Sequence, residues 1–315
     1  MPVGGPSGRL DVHHHFAPPP YVEEMERRNV PLQPVLRNWT VDRSLADMAR
    51  GGVTSAVLSI TAPGFFFGDA SAAGALVRTC NEAGAALTRS HPGVLGLFAA
   101  VPMPDVEGTL AEIAYALDAL HADGIALFTS YGRRWLGDAS FAPVLAELDR
   151  RGVVAFVHPI GNACCTGLVP GVPDSVVEYG TDTSRTIASL LFGGAAARYR
   201  RIRFIFCHAG GSMPFMIERF AMLGASPAMH GALPFGAQHE LVRFFYDTAQ
   251  SSNLGAMSSL RQLVPPAQIL FGTDYPFRSA GEYVGALERC GFDAAALAQI
   301  GRGNAERLMP SLRAG

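Results

Sequence analysis

Residues 9–20 read RLDVHHHFAPPP. The first part is a short apolar run ending in three histidines, and the second is a proline-rich turn. In a β-strand, residues two apart share a face, so His13 and His15 point one way and His14 the other. The turn decides between two fold classes. An open, doubly wound α/β sheet favours a glycine-rich phosphate loop after its first strand. HHHFAPPP cannot cradle a phosphate. A barrel, in contrast, builds its active-site face from strand carboxyl ends, which is where these histidines fall.

Working outward, comparable apolar runs recur at 54–60, 94–103, 124–131, 153–159, 203–210, 242–249 and 268–276, eight in all with the first. Near-continuous apolar strands suit a parallel sheet buried on both faces. Between them lie segments with helical apolar spacing, among them DRSLADMARGG, ASAAGALVRTCNEAGAALTRS, DVEGTLAEIAYALDAL and SFAPVLAELDRRG. Ser140 is the expected N-cap of the last. Eight β/α alternations predict an α/β fold of the (β/α)8 TIM-barrel type, a single domain over 1–315. Residues 17–40 and 160–181 are long strand-to-helix loops, expected over the active-site mouth.

Composition narrows the function. The chain has 315 residues, 49% hydrophobic and 17% charged, with a formal net charge of −2. No global basic field points to nucleic acid. No apolar run reaches the ~20 residues of a membrane helix, and MPVGGPSGRL lacks the apolar core of a signal peptide. Five cysteines (80, 164, 165, 207 and 290), an odd number with two adjacent, argue against a disulfide framework and for the cytoplasm. Cys164 and Cys165 are read as loop packing.

The strand ends carry the chemistry. His158 ends VVAFVHP, His208 follows RFIFC, and Asp274 follows ILFGT. Any one of these is compatible with a hydrogen-bonded core residue. In a barrel, however, His13, His15, His158, His208 and Asp274 converge on one mouth. Three imidazoles and a carboxylate suit Zn2+ or a similar first-row divalent ion. Asp247, at the end of the seventh run, either reaches this mouth as a substrate contact, orients a histidine ligand or caps a neighbouring turn. Trp39 in the first long loop and Phe65, beside Phe66 and Phe67, are candidates for a substrate-binding wall, the phenylalanines equally for a core cluster or subunit contact.

LDVHHHFAPP, FVHP, CHAGGSMPF, GTDYPF and GNAERLM together resemble the amidohydrolase superfamily, specifically the branch of aminocarboxymuconate-semialdehyde and 2-hydroxybenzoate-type decarboxylases. SITAPG, GLVPGVPDS and EYGTDTSRTIASLL are similar to 6-methylsalicylate-type members. The resemblance covers nearly the whole chain. It implies that His13, His15, His158 and Asp274 bind the metal and that His208 is an acid/base beside it, with Asp274 also catalytic. It further implies a homodimer or homotetramer in which Arg219, eleven residues after His208, binds substrate carboxylate in the neighbouring subunit. All 25 basic residues are arginines, so no carboxylated lysine can bridge two ions. Unless a carboxylate bridges instead, one divalent ion per chain is expected, Zn2+ with Mn2+ as the alternative.

The expected activity is non-oxidative decarboxylation of a small aromatic or enal-type acid with an adjacent hydroxyl or carbonyl. The alternatives are a lactone or amide hydrolase, or a hydratase, using metal-bound water. A non-catalytic metal-bearing scaffold is a further reading.

Overall fold

The computed structural model describes residues 8–313. Residues 1–7, in the amino-terminal stretch MPVGGPSGRL, lie outside them. Eight parallel strands follow one another around the sheet in chain order. They are β1 (Arg9–His15), β2 (Val53–Ser59), β3 (Leu95–Ala99), β4 (Gly124–Phe128), β5 (Val154–His158), β6 (Arg203–Phe206), β7 (Phe245–Asp247) and β8 (Ile269–Leu270). Backbone hydrogen bonds from Val12 to Phe271, from His15 to Tyr275 and from Asp274 to His13 join the first strand to the segment after the last. The sheet closes into a (β/α)8 barrel.

Most of the strands are shorter than the apolar runs that announced them, and the last two are the shortest. The run at 242–249 pairs only at Phe245–Asp247, and that at 268–276 only at Ile269–Leu270. The chain leaves the ladder where Gly272 lies against β1: a Cβ there would stand 2.9 Å from that of His13. Apolarity records burial at such a closure, and burial persists after pairing has ended.

The helices follow the expected spacing. Residues 70–90 form one helix, Ala70–Ser90, capped by the Asp69 side chain. The helix expected from Ser140 begins instead at Ala142, and Asp138 rather than Ser140 caps the short turn before it, accepting the Ser140 backbone N–H. The loop 17–40 contains two short helices, Pro19–Arg27 and Pro34–Arg37, while the loop after β5 runs to Asp174, where the helix Asp174–Phe192 begins.

Buried apolar residues form two clusters. The larger lies between the strands and the surrounding helices. The smaller draws Leu10, Val12, Phe98, Phe156, Ile205 and Leu270 from the strands and is closed by Leu308, Met309 and Leu312 near the carboxyl end. It fills the barrel beneath the mouth, with the Phe156 ring 5.1 Å from that of His13. Both Val12 and His13 therefore face inward. Strict alternation along β1 is interrupted, and the pairing register with β2 shifts between Asp11 and His14, as a β-bulge requires.

Candidate metal centre and catalytic mouth

His13 and His15 end β1, His158 ends β5, and Asp274 sits in the turn after β8. All four are buried, and one donor atom from each lies within 4.8 Å of the others. The Nε2 atoms of His13 and His15 are 3.0 Å apart. They stand 3.2 and 3.1 Å from Oδ1 of Asp274.

Each imidazole is fixed from behind through Nδ1. His13 donates to Asp247 Oδ2 at 2.8 Å, and His158 to the Pro159 carbonyl at 2.7 Å. His15 donates to Ser59, 3.1 Å from the hydroxyl and 3.3 Å from the carbonyl. With Nδ1 protonated, the neutral ring turns an Nε2 lone pair inward. Three such lone pairs converge beside Asp274 Oδ1, a buried oxygen that accepts no hydrogen bond. Convergent lone pairs repel unless a cation lies between them, so this donor set fits one divalent ion.

The electrostatics of three of the four donors agree. Burial among other imidazoles holds His158 well below the usual histidine range, and burial likewise lowers His15. Burial opposes the charge on Asp274, yet His13, His15 and His208 outweigh it and hold the carboxyl well below its usual range. His13 is the exception: burial works against its charge, but Cys207, Asp247 and Asp274 outweigh it and raise that group, so a proton competes with an ion for its Nε2.

His208 lies at the same mouth, with Nε2 3.4 Å from Asp274 Oδ2. That oxygen also accepts the Gln250 side-chain amide. Six non-glycine residues among those described have positive φ, and His208, Ala209, Gln250 and Asp274 are four of them. Left-handed backbone disfavours ordinary side chains, and its concentration here marks a constrained site. His158, His208, Gln250 and Asp274 line a cavity of about 930 Å3, with His13 and His15 buried beside Asp274 just beneath its lining.

The remaining residues proposed from the sequence lie elsewhere. Asp247 lines no part of the cavity: its carboxylate is turned behind His13, and Oδ1 accepts the backbone N–H groups of His208 and Ala249. Trp39 packs on Phe16 and donates to Ser44 Oγ at 3.0 Å. Phe65 is buried against Tyr21. Neither borders the cavity, because each finds an apolar partner beneath the loop. Arg219 is exposed on the helix Ile217–Gly224, away from the cavity of its own chain. Cys164 and Cys165 are bonded to each other, a link between neighbours that ties no distant segments together.

His14 points away from the centre. Its Nδ1 donates to Asp11 at 3.0 Å, and its Nε2 accepts from Ser44. Asp11 also accepts the backbone N–H groups of His13 and Thr273, so one carboxylate ties β1 to the turn bearing Asp274.

Several cavity residues carry no signal of their own in the sequence. Tyr179 lies in EYGTDTSRTIASLL, and Phe277 closes GTDYPF, both within quoted motifs. Gln250 and Arg278 follow the seventh and eighth runs. The Tyr179 ring is edge-on to His158 at 6.3 Å, and Phe277 to His15 at 5.9 Å. Burial and the nearby Asp174 and Asp274 carboxylates push the Tyr179 hydroxyl up to about 12, so it remains a donor at neutral pH.

Comparison with known proteins places the chain in a family. A family model described as Amidohydrolase matches residues 10–310. The chain is 38% identical over 279 residues to the 6-methylsalicylic acid decarboxylase acuB of Aspergillus aculeatus, covering 85% of this chain and 84% of that protein. A solved structure of an amidohydrolase II superimposes with a TM-score of 0.89 at 25% identity, over 96% of this chain and 99% of the other. A dihydroxybenzoic acid decarboxylase from Polaromonas sp. JS666, with bound manganese and 2-nitroresorcinol, superimposes at 0.86 with 21% identity, over 98% of both. The barrel, its closure at residues 270–275 and the extent of the match lead to one conclusion: this chain belongs to the amidohydrolase family.

Proposed function

We propose that the protein is a metal-dependent decarboxylase of small aromatic acids bearing a hydroxyl next to the carboxylate. The observation that carries this reading is the cavity floor, where Asp274 presents one oxygen to the imidazole cluster and the other to His208. Kinship narrows the chemistry, since the 38% identical relative bears the name of a 6-methylsalicylic acid decarboxylase. That name favours the aromatic over the enal-type reading.

His13, His15, His158 and Asp274 would hold one divalent ion. Imidazole and carboxylate donors suit Zn2+ and also admit Mn2+, the ion named for the Polaromonas decarboxylase. When bound, the ion supplies a Lewis acid and a template for the carboxylate and adjacent hydroxyl oxygens. The remaining tasks fall to the chain. Tyr179 and Phe277 give the aromatic ring a flat, partly apolar wall. Gln250 holds Asp274 Oδ2 in place beside His208. His208 Nε2, at the opening, carries the proton delivered to the ring carbon that bears the carboxylate. The carbon–carboxylate bond then breaks, CO2 leaves, and its electron pair restores the aromatic ring. The balance is one arenecarboxylate and one proton giving one arene and CO2.

Arg219 is assigned to a neighbouring copy. It is exposed and lies on the same segment as Phe215 and Met222, which are 88% and 71% exposed. An apolar face with an arginine suits contact with another subunit of a homodimer or homotetramer. The hydrolase and hydratase readings share the floor but require solvent oxygen in the product.

The test is turnover of 6-methylsalicylate and related hydroxybenzoates by metal-loaded protein in D2O and, separately, in 18O-labelled water. Decarboxylation releases CO2 and leaves one deuterium on the ring, with no solvent oxygen in the arene. Ring-retained carboxylate, together with 18O incorporation from lactones or amides, would favour a hydrolase.

A further inference from the structure

Resting on the decarboxylase reading, we propose that Arg278 recognises the substrate carboxylate from within the same chain and thereby separates acid substrate from decarboxylated product. An aromatic acid enters as an anion. The cavity it enters is lined by two carboxylates, Asp274 at the floor and Asp174 at the rim. Asp174 is partly occupied, accepting from Thr166 Oγ1 at 2.6 Å and the Gly167 backbone at 3.0 Å. Arg278 is the one arginine among the described residues that line this cavity, and the chain has no lysine.

Its placement follows from the turn after Asp274. The Asp274 carbonyl accepts the backbone N–H groups of Phe277 at 3.0 Å and Arg278 at 3.3 Å. The turn that supplies a floor carboxylate therefore also sets the guanidinium at the rim. Arg278 is not committed to a buried partner. Its ion pair with Glu282 is long, 3.9 Å, and both side chains are more than half exposed. An exposed pair of that length contributes little and is readily exchanged for a substrate carboxylate. Arginine pairs with carboxylate through two parallel N–H groups, a geometry that a phenol cannot reproduce. Once CO2 has left, the neutral phenol loses this contact while keeping its ring contacts. Arg278 thus favours acid entry over product retention.

The experiment compares wild type, Arg278→Gln and Arg278→Lys as metal-loaded enzymes. It measures kcat and KM for a 2-hydroxybenzoate, inhibition by the matching phenol, direct binding of both by calorimetry, and the salt dependence of kcat/KM. Arg278→Gln is expected to raise KM and the acid's Kd about tenfold, with kcat within about twofold. That pattern is the signature of lost uniform binding. Phenol binding should not change, and the salt dependence should flatten. Arg278→Lys should restore the salt dependence but only part of the affinity.

Unchanged KM and salt dependence in Arg278→Gln would overturn the proposal. So would equal weakening of acid and phenol, which reports a structural lesion. If wild type binds hydroxybenzoates tightly but releases no CO2, the reaction reading fails, while the calorimetric comparison still tests acid recognition. If wild type neither binds nor converts them, both fall.

Discussion

The floor and the rim of the cavity are built in opposite ways. At the floor, His13, His15, His158 and Asp274 are at most 3% exposed, and each histidine is held by a hydrogen bond from behind. At the rim, Arg278 is 53% exposed at its side chain and paired only loosely. The floor grows from strand ends that the barrel fixes. The rim grows from turns and loops. A rigid base with an adaptable edge lets one chemistry be directed at different acids, and it predicts that substitutions fall into two kinds.

The largest effects belong to the floor. His158→Ala or Asp274→Ala should lose most of the bound metal and reduce turnover to background, as read by elemental analysis and CO2 release. Retention of one ion and of activity in either variant would dissolve the distinction. His208→Ala should keep its ion while kcat falls by roughly 10²–10⁴-fold, the usual worth of general acid–base catalysis. Loss of the ion as well would move His208 into the donor set.

Asp247 tests the boundary. It is buried and does not line the cavity, so Asp247→Ala should weaken metal affinity or activity by roughly 10- to 100-fold through His13. A competitive metal chelator reads the affinity. A selective rise in KM with metal affinity unchanged would return Asp247 to the rim.

The smallest effect on catalysis is expected at His14. His14→Gln should keep kcat within about fivefold of wild type, because the side chain faces Asp11 and Ser44 rather than the cavity. Stability should fall by ~1–3 kcal/mol as buried partners lose their hydrogen bonds. Denaturant unfolding measures it. An inactive but fully stable variant would show that the outer face of β1 shapes the centre directly.

Most of the floor was legible in the sequence because a polar residue at the end of an apolar strand is conspicuous. Alternation showed only that His13 and His15 share a face, and it holds only beyond the shift between Asp11 and His14; their place in a metal site was read from the converging strand ends and the family resemblance. The rim was not. Trp39 and Phe65 announce burial without saying against what, and both pack beneath the loops. For Asp247 the sequence left a substrate contact, a histidine partner and a turn cap open, and the carboxylate takes the last two, serving His13 and two backbone groups. Arg278 left no periodic signal, since its position depends on a turn closed by the Asp274 carbonyl. The eighth strand was overlong for a related reason: apolar character continues through the barrel closure after pairing ends.

The most direct measurement is stoichiometric reconstitution. Protein stripped by exhaustive chelation should release no CO2 from a 2-hydroxybenzoate. Activity should return in proportion to added Zn2+ or Mn2+ and level off at one equivalent per chain. Full activity in the stripped protein, or a plateau requiring two equivalents, would contradict a single-ion floor built from His13, His15, His158 and Asp274.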